Sequence, residues 1–142
     1  MATKREQILA AIKTNLAGTT GVGNRIYRSR VEAVSRAETP AIIIEPISDI
    51  PQDTQNFNNK INWELKVNVS VIVRGQTPDK VADPTIESLY TKILNDPSLG
   101  GLVIDIRPST TNFEILEADQ PAGVISCEFD VNYRTSYNSL SS

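Results

Sequence analysis

Carboxylates at short spacing, one thiol and a glycine-rich run are candidate chemical groups in this chain; histidine is absent from all 142 positions. Without imidazole there is no His-dependent triad, no His-based zinc site and no imidazole acid–base pair. Cys127 is the only cysteine, so no intrachain disulfide can form, which fits a reducing compartment. It falls on the apolar side of an alternating stretch and reads as a small core residue. Carboxylates recur at short spacing, Glu114 with Glu117 and Glu128 with Asp130. Residues two apart on a strand share a face about 7 Å apart, a separation comparable with a glycosidase dyad. The same oxygens could bind a divalent cation at a subunit boundary. Against both uses, aromatic residues make up only 6% of the chain, few for stacking sugars, and no EF-hand-like spacing occurs. A solvated sheet face is the simpler reading. The expectation is a protein that is not an enzyme, with no cofactor and no metal.

Gly18-Thr-Thr-Gly21-Val-Gly23 could be taken for a phosphate cradle. A cradle needs a strand before it and a helix after it, and here the pattern is reversed. Arg25, Arg28, Arg30 and Arg36 surround Ile26, Tyr27, Val31 and Val34, a basic stretch able to touch nucleic acid. No nucleic-acid motif accompanies it and the whole chain is acidic, so an acidic protein surface is the better partner. Asn68-Val-Ser70 matches a glycosylation triplet but lies in the middle of a strand.

The element that must position these groups runs from Ile61 to Arg74. Ile61, Trp63, Leu65, Val67, Val69, Val71 and Val73 alternate with polar residues, the signature of a strand with one buried face. Fourteen residues span about 46 Å, whereas a sphere equivalent to a compact domain of this length is roughly 37 Å across. Such a strand must bend with its sheet or overhang, which points to assembly.

Around it, Thr3 and Glu6 predict a capping box for a helix with Ile8, Leu9, Ile12 and Leu16 buried, Lys4, Arg5 and Lys13 outward, and Gly18 as its stop. A short strand is expected after the glycine loop. Thr39 to Pro46 reads as a short central strand buried on both faces, and Ile47 to Asn59 as a long polar loop, a projecting arm that orders on assembly. Asp83 and Pro84 predict the start of a second helix with Ile86, Leu89, Tyr90, Ile93 and Leu94 inward. Leu102 to Arg107 reads as a strand with Leu102, Ile104 and Ile106 on one face, and Phe113 to Glu117 as its continuation or a separate strand. The last strand places Ile125, Cys127, Phe129, Val131 and Tyr133 inside. Glu64, Lys66, Asn68, Glu128 and Asp130 are expected on an open face. The reading is one α+β domain over residues 1–135, a mostly antiparallel sheet with two helices packed on one face, followed by a mobile tail over 136–142.

The net charge of −3 hides an asymmetry. Residues 1–36 carry seven basic and two acidic side chains; the remainder carries seven basic and fifteen acidic ones. Head-to-tail contact between identical subunits would use that split. The longest apolar run, Ala41 to Ile44, is far too short for a bilayer. The N-terminal residues lack a signal-peptide apolar core, so export by the general secretory route is not expected.

Several segments in order also resemble a known family. They are Ile26-Tyr-Arg-Ser-Arg30, Pro40-Ala-Ile-Ile-Ile-Glu-Pro46, Trp63-Glu-Leu-Lys-Val and Val71-Ile-Val-Arg-Gly75. Ala82-Asp-Pro84, Leu99-Gly-Gly-Leu-Val-Ile-Asp-Ile106, Glu117-Ala-Asp-Gln-Pro-Ala-Gly123 and Tyr133-Arg-Thr135 follow. With the matching helices and length, the chain resembles the tail terminator proteins of long-tailed bacteriophages, of the lambda minor tail protein U type. The resemblance implies a structural virion protein of the α+β fold, made in the host cytoplasm. It would form a sixfold ring on the head-proximal end of the tail tube, stop polymerisation and present a surface for head joining. Its partners would be further copies of itself, the tail tube protein and a head-completion or neck protein, with no membrane. Nucleic acid is not an expected direct ligand, although DNA would pass through the ring. A neck or completion protein is the nearest alternative, and a small-molecule-binding module a more distant one. Arg25, Arg28 and Arg30 are the candidate basic contacts, Glu117 and Asp119 the candidate acidic ones. Asp49, Asp53, Phe57 and Trp63 are the candidate contacts to a neighbour or the tube.

Overall fold

Thr3 opens the first helix, α1 (Lys4–Leu16), by accepting the Glu6 backbone N–H on its hydroxyl at 3.2 Å. The computed structural model describes residues 2–29, 39–52, 60–116 and 121–141. Ile8, Leu9, Ile12 and Leu16 are all buried, as their spacing requires. Lys13 is exposed, but Lys4 and Arg5 are half-buried and engaged, which corrects the outward expectation. Lys4 donates from Nζ to the Arg134 carbonyl at 3.0 Å, and Arg5 lies 3.6 Å from Asp49.

Five strands form one sheet in the order β1-β2-β3-β5-β4. They are β1 (Ile26–Arg28), β2 (Ala41–Pro51), β3 (Lys60–Arg74), β4 (Asp105–Leu116) and β5 (Ala122–Ser136), with helix α2 (Pro78–Asn95) between β3 and β4. Only the β1–β2 pair is parallel. The fold is therefore α+β.

The spine is as long as its alternation demands. β3 pairs with β5 without a break from Lys60 opposite Ser136 to Arg74 opposite Ala122. Its Leu65, Val67, Val69, Val71 and Val73 are fully buried, facing Val131, Phe129, Cys127 and Ile125 on the same side. Both helices pack there, α1 over β1 and β2, and α2 over β3, β4 and β5. Leu65 is thus deep in the core and not near an overhanging end. Tyr133 and Phe129 are the largest fully buried side chains.

Three boundaries differ from the sequence expectations. β2 does not stop at Pro46; it continues to Pro51 through a bulge between Pro46 and Ser48. It is second from the edge rather than central, and β1 pairs with it only as far as Ile44. Beyond that point no described strand pairs with that side of β2, a setting that admits proline and polar residues. Only the start is an apolar strand, and Ile43 within it is half-buried.

Helix α2 begins at Pro78, with Thr77 in the cap position and no side-chain cap bond, so Asp83 caps nothing. Pro84 sits inside the helix, where its missing N–H forfeits one intrahelical bond. Leu89 and Ile93 are buried and Ile86 and Tyr90 half-buried, but Leu94 is exposed. Leu102 to Ile104 belong to the turn before β4: Val103 is buried and Ile104 exposed, the reverse of the expected phase. β4 is a single strand through Leu116, with a bulge between Pro108 and Thr111. After β5, an isolated Ser136–Ser139 bridge turns the chain back, and the Leu140 carbonyl accepts the Lys4 N–H at 2.8 Å.

Candidate interaction surfaces

Of the carboxylates that might have done chemistry, Glu128 and Asp130 are drawn into the sheet. On the face away from the helices, Asp130 lies opposite Lys66 with 3.3 Å between charged atoms. Glu128 accepts the Asn112 amide at 3.3 Å. Each carboxylate therefore has a separate partner, and the two do not share a proton. Glu117, the partner proposed for Glu114, lies outside the described residues. Among the described residues no three metal-ligating side chains come together.

The glycine loop is closed upon itself. Gly18 N–H donates to the Gly23 carbonyl, Val22 and Gly23 N–H groups donate to the Thr19 carbonyl, and Thr20 N–H bonds the Ser88 hydroxyl. Its amides bond within the loop and to α1 and α2, through Thr19 N–H to the Leu16 carbonyl and Thr20 N–H to Ser88. Cys127 is fully buried, and desolvation pushes its thiol up to about 11. That environment suppresses the thiolate a nucleophile needs.

Of the nine candidate contact residues, Arg30, Asp53, Phe57, Glu117 and Asp119 lie outside the described residues. The other four fall into two separate places. Arg25 and Arg28 flank β1. Arg25 donates to the carbonyls of Pro40 and Gly21 at 2.9 and 2.6 Å. Arg28 takes Glu6 in a two-bond grip, which lowers the carboxyl's pKa and raises the guanidinium's. The hydrogen bond is the main cause in both cases.

Asp49 and Trp63 both engage Tyr133, at the end of the β2–β3–β5 ladder where Pro51 pairs with Trp63. The Trp63 indole donates to Thr135 Oγ1 at 2.9 Å and stacks on Tyr133 with 6.3 Å between ring centroids. Tyr133 donates its hydroxyl to Asp49, whose side chain is only 8% exposed. Burial first, and then the neighbouring carboxylate, raise the Tyr133 hydroxyl well above its ordinary range. Trp63 is therefore pinned to the core, and Asp49 holds the extension of β2 in the sheet.

Sequence reasoning missed the exposed apolar side chains. Ile47 and Ile50 are 52% and 54% exposed on the β2 extension, and Phe113 and Ile115 are 63% and 61% exposed on β4. Phe113 and Ile115 share the helix-covered face, paired with Ile125 and Gly123, but stand at the outermost strand. Their alternation was legible; their exposure depends on strand order. Tyr90 joins α2 to β4 through a 2.8 Å hydrogen bond between its hydroxyl and Thr111.

No protein-family model and no curated protein sequence matches the chain. Among the described residues, no helix is long and apolar enough to cross a membrane.

Proposed function

We propose that this protein is a structural virion component that forms a ring, most simply a hexamer, on the head-proximal end of a phage tail tube. The ring ends tube polymerisation and offers its other face to a head-completion or neck protein. The motifs that resemble tail terminator proteins motivate this reading, and the surface of the β2 extension supports it. Ile47 and Ile50 stand exposed on the strand that leads into the polar segment 53–59, beside the end of the β3–β5 ribbon. Exposed apolar residues on a strand suit a surface that is covered on assembly. Asp49 and Trp63 fix that strand to the core, so the surface is held in shape before its partner arrives.

Adding the protein to purified tail-tube protein tests this reading. Electron microscopy should show tubes that are capped at one end and stop growing. Tubes that elongate at the same rate and carry no cap would overturn it. Uncapped tubes together with binding to a head portal complex would instead identify a neck protein.

A further inference from the structure

Among the described residues, the two outer edges of the sheet differ in charge. At one edge, β4 pairs with β5 and with no other strand among the described residues, and from Ser109 to Leu116 it contains no proline to block a further strand. A groove of about 240 Å³ lies between this strand and the start of α2, lined by Pro78, Asp79, Phe113, Glu114, Ile115 and Ile125. Phe113 and Ile115 rise from it as exposed apolar knobs, and Asp79 and Glu114 are exposed carboxylates. Arg107, on the same strand, is tied to Asp105 at 3.0 Å.

At the opposite edge, β1 is paired with β2 and with no other strand among the described residues. There a groove of about 620 Å³ runs between β1 and the second half of α1, with Ala10, Ala17 and Ile26 lining it beside Lys13 and Arg28. The alanines make a recess where larger side chains would fill the space. Arg25 directs its guanidinium to neutral carbonyls, so its positive charge persists, and with Lys13 and Arg28 it outweighs Glu6.

We infer that the acidic, knob-bearing β4 edge of one copy docks against the basic, alanine-lined β1–α1 edge of the next. This inference rests on the ring reading and names its inter-subunit contact. The occupant is a second copy because both complementary surfaces belong to this chain and lie at opposite ends of one sheet. Contact between two different surfaces is heterologous, and repeating it generates a ring or an open filament rather than a two-fold dimer. Phe113 and Ile115 leave water, while the opposed charges set orientation and reject a like-charged edge.

The test is zero-length carbodiimide cross-linking of a concentrated equal mixture of isotopically light and heavy full-length chains, read by mass spectrometry. Mixed-isotope links from Lys13 to Asp79 or Glu114 are expected. The Asp79→Lys, Glu114→Lys double variant should lose at least tenfold of the intermolecular product. Mixing it with Lys13→Glu should recover links between the two variants. These positions are exposed, and circular dichroism and Tm of each variant are the check that it folds. Oligomers or capped tubes whose links lie elsewhere overturn the edge pairing and leave the ring reading intact. Absence of any intermolecular link overturns the edge pairing, and uncapped tubes in parallel overturn the ring reading as well.

Discussion

Glu6 and Arg28 face each other through two parallel hydrogen bonds of 2.9 and 3.0 Å, tying the first turn of α1 to β1. Glu6 holds the third position of a capping box, yet its carboxylate bonds a residue 22 positions away. The pair keeps Glu6 below its ordinary value of 4.5. Since the folded value is the lower one, the stabilisation is complete above 4.5 and is lost as pH falls through the folded value. Glu6 is half-exposed, so the coupling is about 0.5 kcal/mol. A double-mutant cycle with Glu6→Gln and Arg28→Met should give that coupling near neutral pH and none after Glu6 protonates. Coupling that persists in acid would rule out the charged pair.

Tyr133→Phe removes the hydroxyl that donates to Asp49, leaving a nearly buried carboxylate with Arg5 at 3.6 Å. A group left short of a partner costs about 1–3 kcal/mol. Urea unfolding should show that loss, and Asp49→Asn combined with Tyr133→Phe should cost less than the sum of the two. A neutral Tyr133→Phe would mean the bond contributes nothing to holding β2 in the sheet.

The two long alternating strands were legible because β3 and β5 are each paired on both sides, with one face under the helices. Their pattern is set by that face alone. The β2 extension was not legible, because Pro46, Asp49 and Pro51 have the composition of a loop and become strand only by pairing with β3. Asp83-Pro84 and Thr77-Pro78 are nearly equivalent helix-start signals, and local sequence does not choose between them. Leu102, Ile104 and Ile106 alternate like a strand, yet the strand starts only at Asp105. For the candidate surfaces, residue types were readable but pairings were not: Tyr133 and Asp49 are 84 positions apart. Strand order, which sends Phe113 to an outer edge, has no local signal.

Cys127 is expected to be inert while the chain is folded. Its thiol is raised to about 11 and is fully buried, so at about pH 8 the thiolate fraction is on the order of one in a thousand before access is considered. Labelling by an aromatic disulfide reagent should therefore follow the rate of opening, with no fast phase in buffer and a full one in denaturant. Prompt stoichiometric labelling of the native protein would contradict the burial.

Gly123 is required by close packing and not by an unusual backbone angle. A Cβ built there would lie 2.5 Å from Pro78 Cβ, 3.6 Å from Pro78 Cα and 3.5 Å from Val73 Cγ2. Pro78 is the first residue of α2 and its ring cannot swing away, while Val73 is fixed in the core. Gly123→Ala must therefore push the start of α2 off the sheet, at about 1–3 kcal/mol. The same shift would move Pro78 and Asp79 relative to Phe113 and Ile115, because all four line one groove with Gly123. The variant should lose stability in urea and also lose cross-linking through Asp79 at concentrations where it remains folded. Stability and cross-linking equal to the parent chain would show that α2 is not seated on Gly123.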